Sequence, residues 1–201
     1  MRVEPEKTSP RDFYRYLIGA IVPRPIAWVS TLSPNNIPNL APFSFFNGVC
    51  ANPPTLCFTV VNNRHGGKKD TVRNLEARPE FTVNVVSFSN AAAMNKTSAE
   101  YPYETSEFAE CGLAQEKSER IAPARVKDAA VQFECVVHQI VRVGEGPLAG
   151  NLVIGRIVLL HADDSVLDGH GGFDPAKLDL VGRMGGEMYA RTTDRFTLPR
   201  P

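Results

Sequence analysis

A short basic segment with two adjacent glycines is the part of the sequence best suited to hold an anion. It reads RHGGKKDT, and it brings Arg64, Lys68 and Lys69 close together along the chain. Asp70 is placed to cap a helix through DTVRNLEAR, with Thr71 in its first turn. Glycines allow close backbone approach, and a helix N-terminus offers unpaired N–H groups with partial positive charge. The segment predicts a phosphate site, although a solvated basic loop would have the same composition.

A second unusual segment, NLAPFSFFNG from Asn39 to Gly48, is too apolar for an exposed loop. Its proline and its Ser-Phe-Phe-Asn run interrupt both the helical and the strand period. Phe45 and Phe46 would shield a flat aromatic ring, while Ser44, Asn47 and the backbone would present polar groups to the ring edge. Together the two segments predict a ligand with a flat aromatic part and a phosphate tail.

The elements that must position these segments are mostly strands. Hydrophobic patterning predicts a hairpin from PIAWVSTLS and NIPNLAP, and further strands in TLCFTVVN, EFTVNVVSF, AVQFECVVHQIVRV and NLVIGRIVLLHADD. Ser9, Pro10 and Asp12 predict the start of a short helix through RDFYRYLIG. Strict alternation in the first long strand predicts one shared face for Val131, Phe133, Cys135, Val137, Val141 and Val143.

The order of these elements favours a mainly β fold. Six or so strands, linked by hairpins and interrupted by a few short helices, indicate an antiparallel barrel with peripheral helices, because regular strand-helix alternation is missing. Without an internal repeat or a low-complexity linker, we expect one domain over residues 1–201. Its barrel would span about 20–165 and a C-terminal extension about 166–201.

Composition disfavours several function classes. The 22 basic and 22 acidic residues cancel, so no overall field directs the chain to nucleic acid or to a membrane surface. The apolar runs are too short for a membrane span. The four cysteines form no Cys-x-x-Cys pair and follow no secretory leader, which favours free thiols and a cytoplasmic location. The cysteines and histidines form no metal-binding pattern, so no metal is expected.

Four blocks of sequence occur in order from about Pro23 to Arg191: PRPIAWVSTLSPNNIPNLAPFSFFNGVCANPPTLCFTV, KKDTVRN, EFTVNVV and GRMGGEMYART. Together they resemble the flavin reductase-like family of FMN-binding split-barrel proteins. The resemblance implies a Greek-key antiparallel split barrel, a homodimer, and FMN bound noncovalently near the subunit interface.

The resemblance also implies where the cofactor would lie. The segment Ser44–Asn47 would follow the isoalloxazine ring, and Lys69, Asp70 and Thr71 would lie near the phosphate. Arg24, held between two prolines, would reach either the phosphate or the partner subunit. The expected cofactor-binding residues are Arg24, Ser44, Phe45, Phe46, Asn47, Arg64, Lys69, Asp70 and Thr71.

The sequence leaves the catalytic residues open. Many NAD(P)H-dependent reductases of this family carry Gly-Asp-His before the last long strand, whereas this chain has LAGNLVIG from Leu148 to Gly155. Cys50 stands where the family commonly has serine, and it is either a redox thiol or a small packing residue. His161 would either act on a hydride donor or on reduced flavin, or be a hydrogen-bonded structural histidine.

Two function classes follow from the resemblance. The first is an oxidoreductase that moves electrons from NAD(P)H through FMN to free flavin, to a monooxygenase partner or to another acceptor. The second is a noncatalytic FMN-binding protein or electron carrier that nicotinamide does not reduce directly.

Overall fold

The computed structural model describes residues 1–200, and its largest element is one antiparallel sheet of seven strands. The strands are β1 (Ala27–Leu32), β2 (Pro38–Phe43), β3 (Phe46–Ala51), β4 (Pro54–Val61), β5 (Glu80–Val85), the short pair β6 (Gln115–Glu116) and β7 (Arg125–Val126), β8 (Val131–Val143), β9 (Gly150–Ala162), β10 (Val181–Arg183) and β11 (Tyr189–Arg191). The helices are α1 (Pro10–Ala20), α2 (Asp70–Ala77), α3 (Ala91–Lys96), α4 (Glu107–Glu110) and α5 (Pro175–Leu178).

The large sheet curls until its two edges approach each other. Its strand order is β2-β1-β5-β8-β9-β4-β3, so consecutive strands β2 and β3 form opposite edges. The Ser44–Phe45 segment joins these edges, and the Phe45 carbonyl accepts a hydrogen bond from the Thr59 N–H of β4 at 2.8 Å. The connections from β2 to β3 and from β4 to β5 skip neighbouring strands, which is the Greek-key pattern. The predicted split antiparallel barrel with peripheral helices is confirmed.

The barrel interior is filled by apolar side chains from six strands and from α2. Phe58 packs against Phe43 and Phe81 with ring centroids 5.4 and 5.3 Å apart. Gly155 of β9 makes room for this packing, since a Cβ there would lie 2.3 Å from Cζ of Phe81. Full burial of a side chain such as Val or Phe contributes about 1.5–3 kcal/mol. The buried members are Ala27, Val29, Phe43, Leu56, Phe58, Val60, Val72, Leu75, Phe81, Val83, Cys135 and Val153.

A second apolar cluster lies on the outer face of β1 and β2, under α3 and α4. Trp28 is fully buried there, and its Nε1 donates to the Thr97 hydroxyl at 2.9 Å. Trp28 is therefore a core residue. Met94 and Phe108 anchor the two helices in the same cluster.

Three local expectations need correction. The Asn39–Gly48 segment is not a loop, because β2 and β3 include all of it except Ser44 and Phe45. Lys69, not Asp70, is the N-cap of α2, and it makes no side-chain capping bond. The register of β8 against β9 shifts between Val137 and Gln139, so a bulge changes which residues face the core. Ile140 packs against the interior, whereas Val143 is 60% exposed.

The ends of the chain pack beside the barrel edge. Ser9 caps α1 by accepting from the Asp12 N–H, as the sequence predicts. The β10–β11 hairpin is held by backbone pairing of Arg183 with Arg24 and of Leu180 with Ser87. Within residues 1–200, no helix is long and apolar enough to cross a membrane.

Candidate functional site

The basic segment after β4 forms a compact loop around Asn63. The Asn63 Oδ1 accepts from the N–H groups of His65 and Gly67 at 2.9 Å, and its backbone pairs with Gly66 and Gly67. Gly66 has a φ of +81° and lies against Gly146, where a Cβ would come within 3.1 Å of the Gly146 Cα. The glycine is required for both reasons, so the loop has a defined shape that leads into α2.

The start of α2 carries unused donors. Lys69 accepts hydrogen bonds from Val72 and Arg73 through its carbonyl, but the N–H groups of Asp70 and Thr71 have no acceptor among residues 1–200. The Lys69 ammonium likewise has no ion-pair partner in the described chain, whereas Lys68 is bound to Glu76 at 2.7 Å. This combination of free N–H groups and a free cation is the local chemistry of an anion site.

These donors open into a cavity of about 270 Å³ between the loop, β2 and the segment after α3. Arg64, Lys69, Asp70 and Thr71 all line it, so the structure brings four of the predicted site residues together. Arg64 is exposed at the rim, with its guanidinium 3.6 Å from Glu100. The remaining lining residues are Asn39, Ala41, Pro42, Phe43, Asn63, His65, Lys68, Thr97, Ser98, Ala99, Glu100, Tyr101 and Glu107.

The buried wall of this cavity contains a polar network that the sequence did not reveal. Glu107 accepts from the Leu40 N–H at 2.8 Å and from Asn39 Nδ2 at 2.7 Å. Asn39 Oδ1 in turn accepts from the Thr71 hydroxyl at 3.1 Å and from the Thr31 hydroxyl at 3.3 Å. The network connects α4 to β2, β1 and α2, and it joins residues 68 positions apart in sequence.

Besides Glu100 at the rim, two buried or partly buried carboxylates, Glu107 and Asp70, face the same cavity. Burial raises the pKa of Glu107, and the nearby Asp70 raises it further, against the lowering effect of the two hydrogen bonds. Burial also raises the pKa of Asp70, although its contact with Arg73 at 3.2 Å acts in the opposite direction. Neither carboxylate favours an anion beside it, so donors that bound an anion in this cavity would act against these charges.

A second cavity of about 180 Å³ continues from the first, because both are lined by Pro42 and Ser98. Ser44 lines this second cavity together with Asn95 and Tyr189. The Tyr189 hydroxyl contacts Asn95 Oδ1 at 3.0 Å, which fixes the C-terminal hairpin at the cavity mouth. The two cavities form one groove, polar and basic at the α2 end and slightly more apolar at the Ser44 end, which also contains Arg183.

Arg24 is a buried hub behind this groove and lines neither cavity. Its guanidinium donates to the carbonyls of Ile18, Ile21 and Met184 at 2.6 to 3.1 Å, and its Nε donates to the Ser44 hydroxyl at 3.2 Å. Burial lowers the pKa of Arg24. With four donors engaged, Arg24 orients Ser44 and ties α1 and the C-terminal hairpin to the barrel.

The other predicted wall residues lie outside the groove. The Phe45 ring packs edge-on against Tyr14, 6.3 Å away, while Phe46 packs against the barrel core. Asn47 is exposed on β3 and accepts from the Gly48 N–H. The apolar wall of the cavity is formed a few residues earlier, on β2, by Ala41, Pro42 and Phe43. A strand period shows only alternation, so the sequence could not tell which of these residues face the groove.

The two weak catalytic candidates are also remote from the groove. Cys50 is exposed on β3, where its thiol contacts the Pro53 carbonyl at 3.1 Å. His161 lies on β9, and its Nε2 is 2.7 Å from Oε1 of Glu134. Glu134 is fully buried and also accepts from the N–H groups of Glu119 and Arg120. Of the two alternatives that the sequence left open for His161, these contacts favour the hydrogen-bonded structural histidine.

A protein with a split barrel domain from Shewanella frigidimarina shares the fold of this chain, with a TM-score of 0.84 and 21% identity over the whole of both chains. Residues 19–177 match the Flavin reductase like domain. The chain belongs to the flavin reductase-like family, as the sequence blocks indicated.

Similar proteins cover nearly the whole chain. An uncharacterised protein of Halalkalibacterium halodurans is 38% identical over 204 residues, covering 100% of this chain and 97% of that protein. The structure of nitrilotriacetate monooxygenase component B from Bacillus cereus is 34% identical, with a TM-score of 0.93 and 98% of each chain covered. That of the 2-nitrobenzoate 2-nitroreductase NbaA from Pseudomonas fluorescens is 28% identical, with a TM-score of 0.87, covering 100% of this chain and 96% of that one.

Proposed function

We propose that this chain binds FMN in the groove and works as an oxidoreductase, moving electrons from NAD(P)H to free flavin or to a protein acceptor. The observation that carries the proposal is the groove itself. An anion-binding end with free donors from α2 is joined to a more apolar end beside Ser44, which fits a ligand with a phosphate tail and an aromatic ring.

The phosphate end would be held by the first turn of α2. Lys69 supplies a free ammonium group, and the backbone N–H groups of Asp70 and Thr71 are free to donate to phosphate oxygens. Arg64 at the rim would add a long-range positive charge. The side chains present fit a phosphate, because these donors converge on one cavity and no metal is needed to neutralise the charge.

The ring end would be held by β2 and the residues that follow it. Pro42, Ile26 and Met94 give apolar surface at the second cavity. Arg24 keeps the Ser44 hydroxyl oriented there. Tyr189 would limit access from solvent. When bound, FMN would supply the redox chemistry, and the chain's part would be to bind it, orient it and exclude water.

The identity of the relatives supports an electron-transfer role with a partner. One is named as a monooxygenase component and another as a nitroreductase, and both are similar to this chain over almost its full length. We therefore propose that the acceptor of this chain is free flavin, a monooxygenase component or a comparable acceptor.

A second candidate function is an FMN carrier that nicotinamide does not reduce directly. It is favoured by one observation: of the residues described, those that line the Ser44 cavity include no histidine, aspartate or glutamate. Hydride transfer depends more on geometry than on a single acid, so this observation does not exclude the enzyme.

We also propose a cytoplasmic homodimer. β3 is an edge strand with its outward residues exposed, including Val49 at 52%, and such an edge is a surface that a second copy can cover. The four cysteines are free thiols, which is compatible with a reducing compartment.

Anaerobic reduction separates the two functions. The purified protein is loaded with FMN, NADH or NADPH is added without oxygen, and bleaching of the flavin absorbance is followed. Rapid bleaching supports the oxidoreductase. A protein that retains FMN, bleaches with dithionite and stays oxidised with both nicotinamides is instead a carrier.

A further inference from the structure

The direction of the hydrogen bonds in the cavity wall is fixed by Glu107. A carboxylate can only accept, so Asn39 must turn its NH₂ group toward Glu107 and its carbonyl oxygen toward α2. That oxygen accepts from Thr71, so the Thr71 hydroxyl hydrogen points into the wall and away from the cavity. Thr31 is held in the same way, since Asn74 donates to the Thr31 hydroxyl at 3.0 Å.

We propose that Glu107 is a selectivity-determining positioning residue of the anion site, which, acting through Asn39, keeps the Thr71 hydroxyl from donating to a bound phosphate. This inference rests on the proposed function, because it takes the anion to be the phosphate of FMN. Glu107 weakens phosphate binding in two ways: it withholds one donor and it adds a negative charge to the wall.

The network can reverse without losing a hydrogen bond. In Glu107→Gln, the new amide oxygen accepts from the Leu40 N–H, and its NH₂ group faces Asn39. Asn39 then turns its oxygen toward residue 107 and its NH₂ group toward Thr71 and Thr31, whose hydroxyl oxygens are able to accept. The Thr71 hydroxyl hydrogen is released toward the cavity.

Flavin titrations test the proposal. Glu107→Gln is expected to bind FMN about tenfold more tightly than the wild type, while riboflavin affinity changes less than about twofold, since a hydrogen bond to a charged group is among the stronger ones. The matched control is Glu100→Gln, which removes a carboxylate from the rim of the same cavity without touching Asn39. The gain in FMN affinity for Glu100→Gln is expected to stay below about threefold, because solvent and salt screen exposed charges.

The contribution of Thr71 is isolated in a double variant. Adding Thr71→Val to Glu107→Gln should cancel most of the gain for FMN, whereas Thr71→Val alone should weaken FMN less than about threefold, because its backbone N–H remains. A gain that survives in the double variant would overturn the role of the hydroxyl. If Glu107→Gln raised the affinities for FMN and riboflavin equally, or raised neither, the proposal would be overturned.

A flavin-free readout separates this inference from the proposed function. In labelled protein, an NMR coupling across the hydrogen bond from the Asn39 side-chain nitrogen to the Glu107 carboxyl carbon is expected in the wild type. Its absence there would overturn the proposed direction of the network. A wild type that shows this coupling but binds FMN and riboflavin equally would instead contradict the proposed function. If Glu107→Gln does not fold, a loss of tenfold or more in FMN affinity for Thr71→Val alone contradicts the inference.

Discussion

Glu107 and Glu134 are both buried carboxylates, but their surroundings are opposite. Glu134 is beside His161 and within 4.0 Å of the Arg125 guanidinium, and it accepts two backbone N–H bonds. Burial alone would raise the pKa of Glu134, but the hydrogen bonds from Glu119, His161 and Arg120 lower it below its ordinary value. Glu107 has no cationic partner among the described residues, and its pKa is raised by burial and by Asp70.

The difference indicates two uses of a buried charge. Glu134 connects the segment before β7 to β8 and β9, and its charge is compensated by neighbouring cations and N–H groups. Glu107 lines a cavity and has hydrogen-bond donors but, in the described part of the chain, no cation beside it, so its buried charge is a cost to stability. Perturbed carboxylates of the second kind are found preferentially at functional sites. The contrast supports a structural role for Glu134 and a site role for Glu107.

The largest effect is expected from removing the compensated charge. Glu134→Ala leaves His161 and two backbone N–H groups without their acceptor and removes the charge 4.0 Å from the Arg125 guanidinium, so the unfolding free energy should fall by about 3–5 kcal/mol. Urea denaturation measures this loss. Flavin affinity of the folded fraction should be unchanged, and a change in affinity with normal stability would contradict the structural role.

A smaller loss is expected when only the His161 side chain is removed. His161→Ala should lower the unfolding free energy by about 1.5–3 kcal/mol, because one hydrogen bond to a charged group disappears. His138→Ala is the matched control, since His138 is exposed on the neighbouring strand. If His161→Ala instead abolished flavin reduction at normal stability, His161 would be part of the catalytic machinery.

The two glutamates should also give opposite pH dependences. The lowered pKa of Glu134 means that its stabilisation is present above the unfolded-state pKa and is lost as the pH falls through the lower folded-state value. The raised pKa of Glu107 means that the folded state holds this proton more strongly, so stability decreases as the pH rises between the two values. Each slope is limited to about 1.4 kcal/mol per pH unit.

Urea denaturation across acidic pH isolates each contribution. Glu107→Gln should remove the decrease in unfolding free energy at rising pH. Glu134→Gln should remove the decrease in unfolding free energy at falling pH. Identical profiles for these two variants would contradict the contrast.

The smallest effect is expected at Cys50. The thiol is exposed on β3 and lies outside the groove, so Cys50→Ser should change FMN affinity and nicotinamide oxidation by less than about twofold. Anaerobic reduction and flavin titration measure both. A large loss of turnover with FMN still bound would make Cys50 a redox participant.

The sequence predicted the strands better than the details that place the site. Alternating and continuous apolar runs correctly indicated β1, β2, β4, β5, β8 and β9, because burial on a sheet imposes this pattern. β3 was not predicted, because Ser44 and the neighbouring phenylalanines interrupt the strand period of alternating apolar residues. The bulge in β8 depends on pairing with β9, so the single face predicted by strict alternation is wrong: Cys135 is buried, whereas Val143 is 60% exposed.

At the site, the basic segment was visible because its composition is local. Arg64, Lys69, Asp70 and Thr71 do line one cavity. Glu107 was missed because it lies on a four-residue helix in an irregular segment and meets Asn39 only through the tertiary fold. Arg24 was expected near the ligand, yet its contacts are with protein carbonyls and Ser44, which no pattern in the sequence specifies.

The central claim is that the start of α2 holds the phosphate of FMN, and paired titrations of Lys69→Ala with FMN and riboflavin test it most directly. We expect FMN binding to weaken about ten- to hundredfold and riboflavin binding to stay nearly unchanged, because a charged hydrogen bond contributes about 1.5–3 kcal/mol. Lys127→Ala, at an exposed position outside the groove, is the matched control. Equal losses for both flavins, or no loss for either, would contradict the phosphate site.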